Sequence, residues 1–292
     1  MALPAATRAA ALCRIAACAS PPASAGQRHE GKLPFALAER GMVVGGHRGM
    51  GMNAVGAPPG ARVGAAKERE NTLLSFGRAA AHAAVAFVEF DVQVRVSLRS
   101  SGPAIPYTVA LLDKIGNVVF QSASNRPVFF STFHPDAARL MRELQSSYPV
   151  LFLTEGGTAK HNDPRRNSLE EAIRVCLEYD LHGIVSEVRG VFKNPSVVFR
   201  AQESNLAFLT YGQLNNVWEA VYIQYLMGVN GVIVDMVEEI SKAVADFSRQ
   251  PLSQSSLGSG VSSMDGSKHQ AFSQQQLGFL LRLIPELIEQ PH

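Results

Sequence analysis

From residue 42 to residue 235 the chain alternates short apolar runs with longer stretches of helical spacing. The runs 42–46, 85–94, 127–133, 150–154, 183–187, 206–212 and 231–235 have the length and apolar content of strands. Helix-like stretches such as 71–82, 135–147, 168–179 and 217–227 lie between them. Repeated strand–helix units predict a parallel sheet, and their number predicts an α/β fold of the TIM type, a (β/α)8 barrel with its site at the carboxyl ends of the strands. Only seven strands are recognisable where closure needs eight. The predicted barrel is therefore incomplete, and the missing strand falls between Val94 and Pro127.

The second run is the most informative. Side chains alternate across a strand, so Phe87, Glu89, Asp91 and Gln93 share one face and Val88, Phe90, Val92 and Val94 the other. The Val/Phe face suits packing against helices, which turns the two carboxylates toward the barrel interior. Buried unpaired charge is costly unless a cation or a basic group compensates it. One reading is that both acids simply pair with Arg48 and nearby lysines. The other is a bound cation, for which adjacent hard oxygen ligands favour Mg²⁺ or Ca²⁺ over zinc. His47 falls just beyond the first strand, followed by glycines that allow close backbone approach. Imidazole there can take or return a proton, and the Arg48 guanidinium can hold a phosphate bidentately.

Composition adds limits rather than chemistry. With 292 residues, 46% hydrophobic and 18% charged, the chain can bury a full core and predicts one large domain with tails. A net charge of +2 with no basic stripe predicts a small-molecule partner and no nucleic acid. Cys13, Cys18 and Cys176 are too few and too scattered for a disulfide framework or a structural zinc site. No apolar run reaches the roughly 20 residues that span a bilayer, which predicts a soluble protein with no transmembrane segment. Oligomeric state is not legible.

Four regions are expected. Residues 1–31 contain no Asp or Glu before Glu30 and are rich in Ala, with Arg8, Arg14 and Arg28 interspersed; that is the composition of a transit-peptide-like leader. Residues 40–248 hold the barrel, 249–277 form a Ser/Gln-rich linker, and 278–292 carry a short apolar segment expected to dock as a helix.

The segments Gly45-Gly46-His47-Arg48-Gly49, Glu70-Asn71-Thr72 and Glu89-Phe90-Asp91 together resemble the glycerophosphodiester phosphodiesterase family, its plant members in particular. Similar segments recur later, including Phe130-Ser131-Thr132-Phe133-His134-Pro135, Phe152-Leu153-Thr154-Glu155-Gly156-Gly157 and Gly231-Val232-Ile233-Val234-Asp235. The resemblance implies metal-dependent hydrolysis of glycerophosphodiesters to glycerol 3-phosphate and an alcohol. It implies a catalytic role for His47, phosphate binding by Arg48, and Glu70, Glu89 and Asp91 at the metal, Mg²⁺ or Ca²⁺. It also implies a plastid location, with mitochondrion or cytoplasm as alternatives. The departure lies in residues 95–125, which hold no His and no Glu. The family's strand ending in His-Asp and its Glu-Leu-Lys strand are both missing there. His134, Glu155, His161 and Glu187 follow later strands and stand near the mouth, but have no such roles in the family's pattern. The alternative to an enzyme is thus an impaired remnant that acts by binding or interaction.

Overall fold

The computed structural model describes residues 13–18, 42–52, 69–92 and 128–249. Residues 95–125, the Ser/Gln-rich stretch and the C-terminal apolar segment lie outside the described residues. The eight strands are β1 (Cys13–Cys18), β2 (Val43–His47), β3 (Val85–Val92), β4 (Val128–Thr132), β5 (Val150–Thr154), β6 (Gly183–Glu187), β7 (Ala207–Tyr211) and β8 (Gly231–Val234). The helices are α1 (Leu73–Ala81), α2 (Pro135–Leu144), α3 (Leu169–Glu178), α4 (Val188–Lys193), α5 (Ser196–Glu203), α6 (Trp218–Met227) and α7 (Val237–Arg249).

Seven strands, β2 to β8, run parallel and lie side by side in the order β3-β2-β8-β7-β6-β5-β4. They form an α/β wall of the TIM type with the gap where the sequence leaves it, between β3 and β4. The gap is not empty. β1 lies in it, antiparallel to both neighbours, and closes the barrel. Sequence reading assigns Cys13–Cys18 to a leader; the structure places these six residues in the barrel wall. The facing edges of β3 and β4 each present a row of backbone donors and acceptors that must find partners, and β1 supplies them to both.

Two apolar layers hold the wall. Outside, Val44, Phe130, Phe152, Ile184, Phe208 and Val232 meet helix residues such as Met141, Ala172, Val198 and Ile240. Inside, Phe87, Phe129, Leu151, Leu153, Val185, Leu209 and Ile233 fill the lumen, so the barrel is a packed core with its polar chemistry only at the rim. Lumen packing dictates one glycine. A Cβ on Gly45 would lie 2.2 Å from the Phe87 ring, so glycine is what lets that ring cross the floor of the site.

Capping signals fix the helices used below. Thr72 caps α1 by accepting from the Ser75 N–H at 3.2 Å, and Ser168 caps α3 through the Glu171 N–H at 3.1 Å. His134 caps α2 through the Ala137 N–H at 3.4 Å, with Pro135 at the first helical position. Cys176 is buried, donates to the Gly183 carbonyl at 3.3 Å, and has its thiol pushed up by burial to about 12. It is a packing residue, not a nucleophile.

Candidate active site

Strand parity builds the rim. Residues two positions beyond a lumen side chain face the same way. Gly45 therefore predicts His47, Phe87 predicts Glu89 and Asp91, Leu153 predicts Glu155, Val185 predicts Glu187, Leu209 predicts Tyr211, and Ile233 predicts Asp235. Apart from Glu89, within β3, they lie within one residue of the carboxyl ends of their strands, which is where this architecture gathers chemistry.

The central pair is His47 and Asp235. His47 Nδ1 and Asp235 Oδ1 are 2.8 Å apart. A register shift between Val44 and Gly45 in the β2–β3 ladder re-aims the end of β2 toward the rim. Asp235 also accepts from the Met52 N–H at 2.9 Å and from Asn216 Nδ2 at 3.0 Å. Asn216 completes a clamp, its side-chain oxygen accepting from the N–H groups of Asp235 at 2.7 Å and Met236 at 3.0 Å. Burial acts to raise the Asp235 pKa, yet the His47 hydrogen bond, the His47 charge and the other donors outweigh it and hold it at about 2. Asp235 is thus ionised at neutral pH and accepts a hydrogen bond from the Nδ1–H of His47, leaving Nε2 with the lone pair. Nε2 lies 3.9 Å from Glu89 Oε2. Gly51, at φ 101°, passes so close to Asp235 that a Cβ would fall 2.4 Å from its carbonyl oxygen.

The Arg48 turn is the second unit. Arg48 has φ 50°, a left-handed conformation that costs a non-glycine residue on the order of 1 kcal/mol. The turn is held by bonds to its backbone: the Arg48 carbonyl accepts from the Asn71 N–H at 3.0 Å and from the Ser75 hydroxyl at 3.2 Å, and the Arg48 N–H donates to Glu89 Oε2 at 3.3 Å. Its guanidinium donates to Glu70 Oε1 at 2.9 Å and pairs through Nε with Asp91 Oδ2 at 2.7 Å. Burial lowers the Arg48 pKa, but Asp91, Glu70 and Glu89 outweigh it and raise it. Each residue of Glu70-Asn71-Thr72 has a job: Glu70 holds Arg48, Asn71 turns the chain at φ 55° and accepts from the Asp91 N–H at 3.4 Å, and Thr72 starts α1.

All five residues expected from the sequence come together here: His47, Arg48, Glu70, Glu89 and Asp91. Glu89 is 1% exposed. Three carboxylates around one guanidinium form a hard-oxygen donor set of the kind a divalent cation takes. Among the described residues no group of three already stands as a ready metal cage; Arg48 lies between Glu70 and Asp91. The donor chemistry fits a hard cation, with Arg48 as the competing positive charge. Sequence reasoning missed Asp235. Its signal was available, since it directly follows a four-residue apolar strand on the lumen parity.

The opposite side of the mouth carries a separate group. His161 contacts the Glu155 carboxylate, Arg166 lies 3.6 Å from it, and Arg166 stacks 5.7 Å over the Phe133 ring. Phe133 meets Tyr211 edge-on at 6.2 Å, and the Tyr211 hydroxyl donates to the Thr154 carbonyl at 3.3 Å. His134 is taken up as a helix cap. Burial pushes the Glu187 carboxyl up, against the Arg189 N–H that donates to it at 2.8 Å. A carboxyl whose folded pKa is raised loses stability as pH climbs through its unfolded value near 4.5. Glu187→Gln keeps the acceptor and removes the charge. It is expected to raise Tm more at pH 7 than at pH 4, as thermal circular dichroism at both values will show.

Residues 106–239 match the model of the glycerophosphoryl diester phosphodiesterase family. The matched span covers β4 to β8 and does not reach His47, Arg48, Glu70, Glu89 or Asp91. Two curated relatives from Arabidopsis thaliana are each 55% identical. Glycerophosphodiester phosphodiesterase GDPD2 aligns over 63% of this chain and 50% of its own length. The chloroplastic glycerophosphodiester phosphodiesterase GDPD1 aligns over 61% of this chain and 47% of its own. The chain thus spans about half the length of the curated relatives it matches. A glycerophosphocholine phosphodiesterase of Candida albicans is 38% identical over 46% of this chain and 12% of its own. A solved glycerophosphodiester phosphodiesterase from Parabacteroides distasonis superposes with a TM-score of 0.38 at 15% identity, covering 50% of this chain and 55% of that one. At that level the likeness carries no argument.

Proposed function

We propose that the chain is a plant-type member of the glycerophosphodiester phosphodiesterase family and that it hydrolyses glycerophosphodiesters to glycerol 3-phosphate and an alcohol at the rim formed by β2, β3 and β8. The observation that carries this reading is the His47–Asp235 pair beside three carboxylates and an arginine.

In the proposed reaction, water adds to phosphorus as the P–O bond to the alcohol breaks. His47 Nε2 exchanges the proton: it takes one from the attacking water or gives one to the departing alkoxide. Asp235 fixes the tautomer that makes this possible and stabilises the imidazolium that forms. Arg48 offers its guanidinium to the phosphate oxygens, giving up carboxylate partners for the phosphate dianion-like charge of the transition state. Glu70, Glu89 and Asp91 are the proposed ligands of a divalent cation, Mg²⁺ or Ca²⁺; bound there, it would polarise a phosphoryl oxygen. Calorimetric titration is expected to show weak binding of either ion, lost in Asp91→Ala. Binding that survives this substitution would place the cation elsewhere. The chloroplastic relative and the leader-like stretch with no Asp or Glu before Glu30 support a plastid location.

The test is direct. Purified chain with glycerophosphocholine and Mg²⁺ or Ca²⁺ should release glycerol 3-phosphate, and EDTA or His47→Ala should stop it. A second reading, a binding protein without turnover, is favoured by the lack of any His or Glu in residues 95–125. No release with either ion would favour it.

A further inference from the structure

Residues 13–18 have two incompatible uses. By composition they belong to a leader, and by position they are the wall between β3 and β4. β1 pairs along its whole length, Cys13 to Cys18 opposite Val92 to Phe87 on one side and Cys13 to Ala17 opposite Thr132 to Val128 on the other. This antiparallel entry sets its N-terminal end at the mouth and makes Arg14 the ladder partner of Asp91 and Ala16 that of Glu89.

The slot has a shape requirement. Phe87 on β3 and Phe129 on β4 reach across the intervening strand, ring centroids 5.4 Å apart at an interplanar angle of 69°. A strand passing between them has to carry small residues at their register positions. The sequence supplies Cys18 opposite Phe87 and Ala16 opposite Phe129.

We propose that the chain completes its own barrel with residues 13–18 as a strand donated from the leader, so that retaining this segment holds the acid-bearing strand β3 in place, and cleavage anywhere after Cys18 opens the wall. Leader removal and barrel closure exclude one another. The proposal rests on the ladders and the Phe87–Phe129 contact, not on the phosphodiesterase reading, and stands or falls without an activity assay.

The register supplies the test. Directly opposed residues of an antiparallel pair have Cα atoms about 4.5–5.5 Å apart, within the range a disulfide spans. In full-length Cys18→Ser protein, Val92→Cys should therefore cross-link to Cys13 within one chain on mild oxidation, read by non-reducing electrophoresis and peptide mapping. Adding Cys13→Ser should abolish it. Ala16→Pro, which cannot donate to a ladder, should reduce the cross-link and speed amide exchange in 85–92 and 128–132 by at least about tenfold. Ala5→Pro, in the same leader but outside the strand, should leave both readouts unchanged. A cross-link joining two chains would show that the slot takes its strand from a second copy, and overturn self-closure. Absence of any cross-link, or β3 and β4 exchange indifferent to Ala16→Pro, would overturn the assignment of this segment to the wall. Should Val92→Cys fail to fold, exchange measured on the unsubstituted chain and on Ala16→Pro alone still decides between the two uses.

Discussion

Asp235→Asn is expected to lower kcat for the proposed glycerophosphodiester hydrolysis by about 10²–10⁴-fold, with KM little changed. The asparagine can still meet His47 Nδ1, but it offers an N–H as readily as an oxygen, so Nε2 no longer reliably holds the lone pair. A group that acts on the reaction through the imidazole should act on kcat, and steady-state kinetics separates the two. A rise in KM with kcat intact would assign Asp235 to substrate binding. The same carboxylate has a stability signature. Its folded pKa of about 2 lies below the ordinary value of 3.8, so its contribution is present above about pH 4 and lost as pH falls toward 2. Denaturation of the parent should steepen across that window and that of Asp235→Asn should not.

The second large effect is expected under the site. Phe87→Ala removes a fully buried ring from the lumen floor and should cost about 3–5 kcal/mol, read as a lower denaturation midpoint. Gly45→Ala makes the complementary error, forcing a methyl into that ring, and should cost about 1–3 kcal/mol. The two positions touch, so they should couple: Gly45→Ala with Phe87→Leu should lose less than the sum of the single changes. Additive losses would mean that Gly45 is required for a reason other than the ring.

Much of the barrel was legible because its strands announce themselves. Residues 150–154 and 183–187 are apolar runs with polar or glycine boundaries, and the structure has β5 and β6 at those positions. The acids of β3 were legible from alternation alone. α4 was not, since Val188 follows β6 with no polar break and Glu187 ends the strand and caps the helix at once. Asp235 was hidden because one carboxylate after an apolar strand is a common strand ending; only its approach to His47, 188 positions earlier, gives it meaning. β1 could not be read at all. Cys-Arg-Ile-Ala-Ala-Cys has weak strand propensity, and what makes it a strand is two unsatisfied neighbours far along the chain.

That separation sets an order of events during synthesis. The segment Cys13–Cys18 leaves the ribosome first, while the partners it needs arrive with β3 and, last, with β4 at Thr132. At about 5–20 residues per second, the nascent segment waits on the order of ten seconds before its second ladder can form. Within that interval its ladder groups have no strand partners and, on the proposal above, it would be open to a receptor that reads leaders; afterwards it is part of a folded wall. On the proposal that this segment serves both as leader and as wall, the choice between import and closure would go to whichever partner reaches Cys13–Cys18 first.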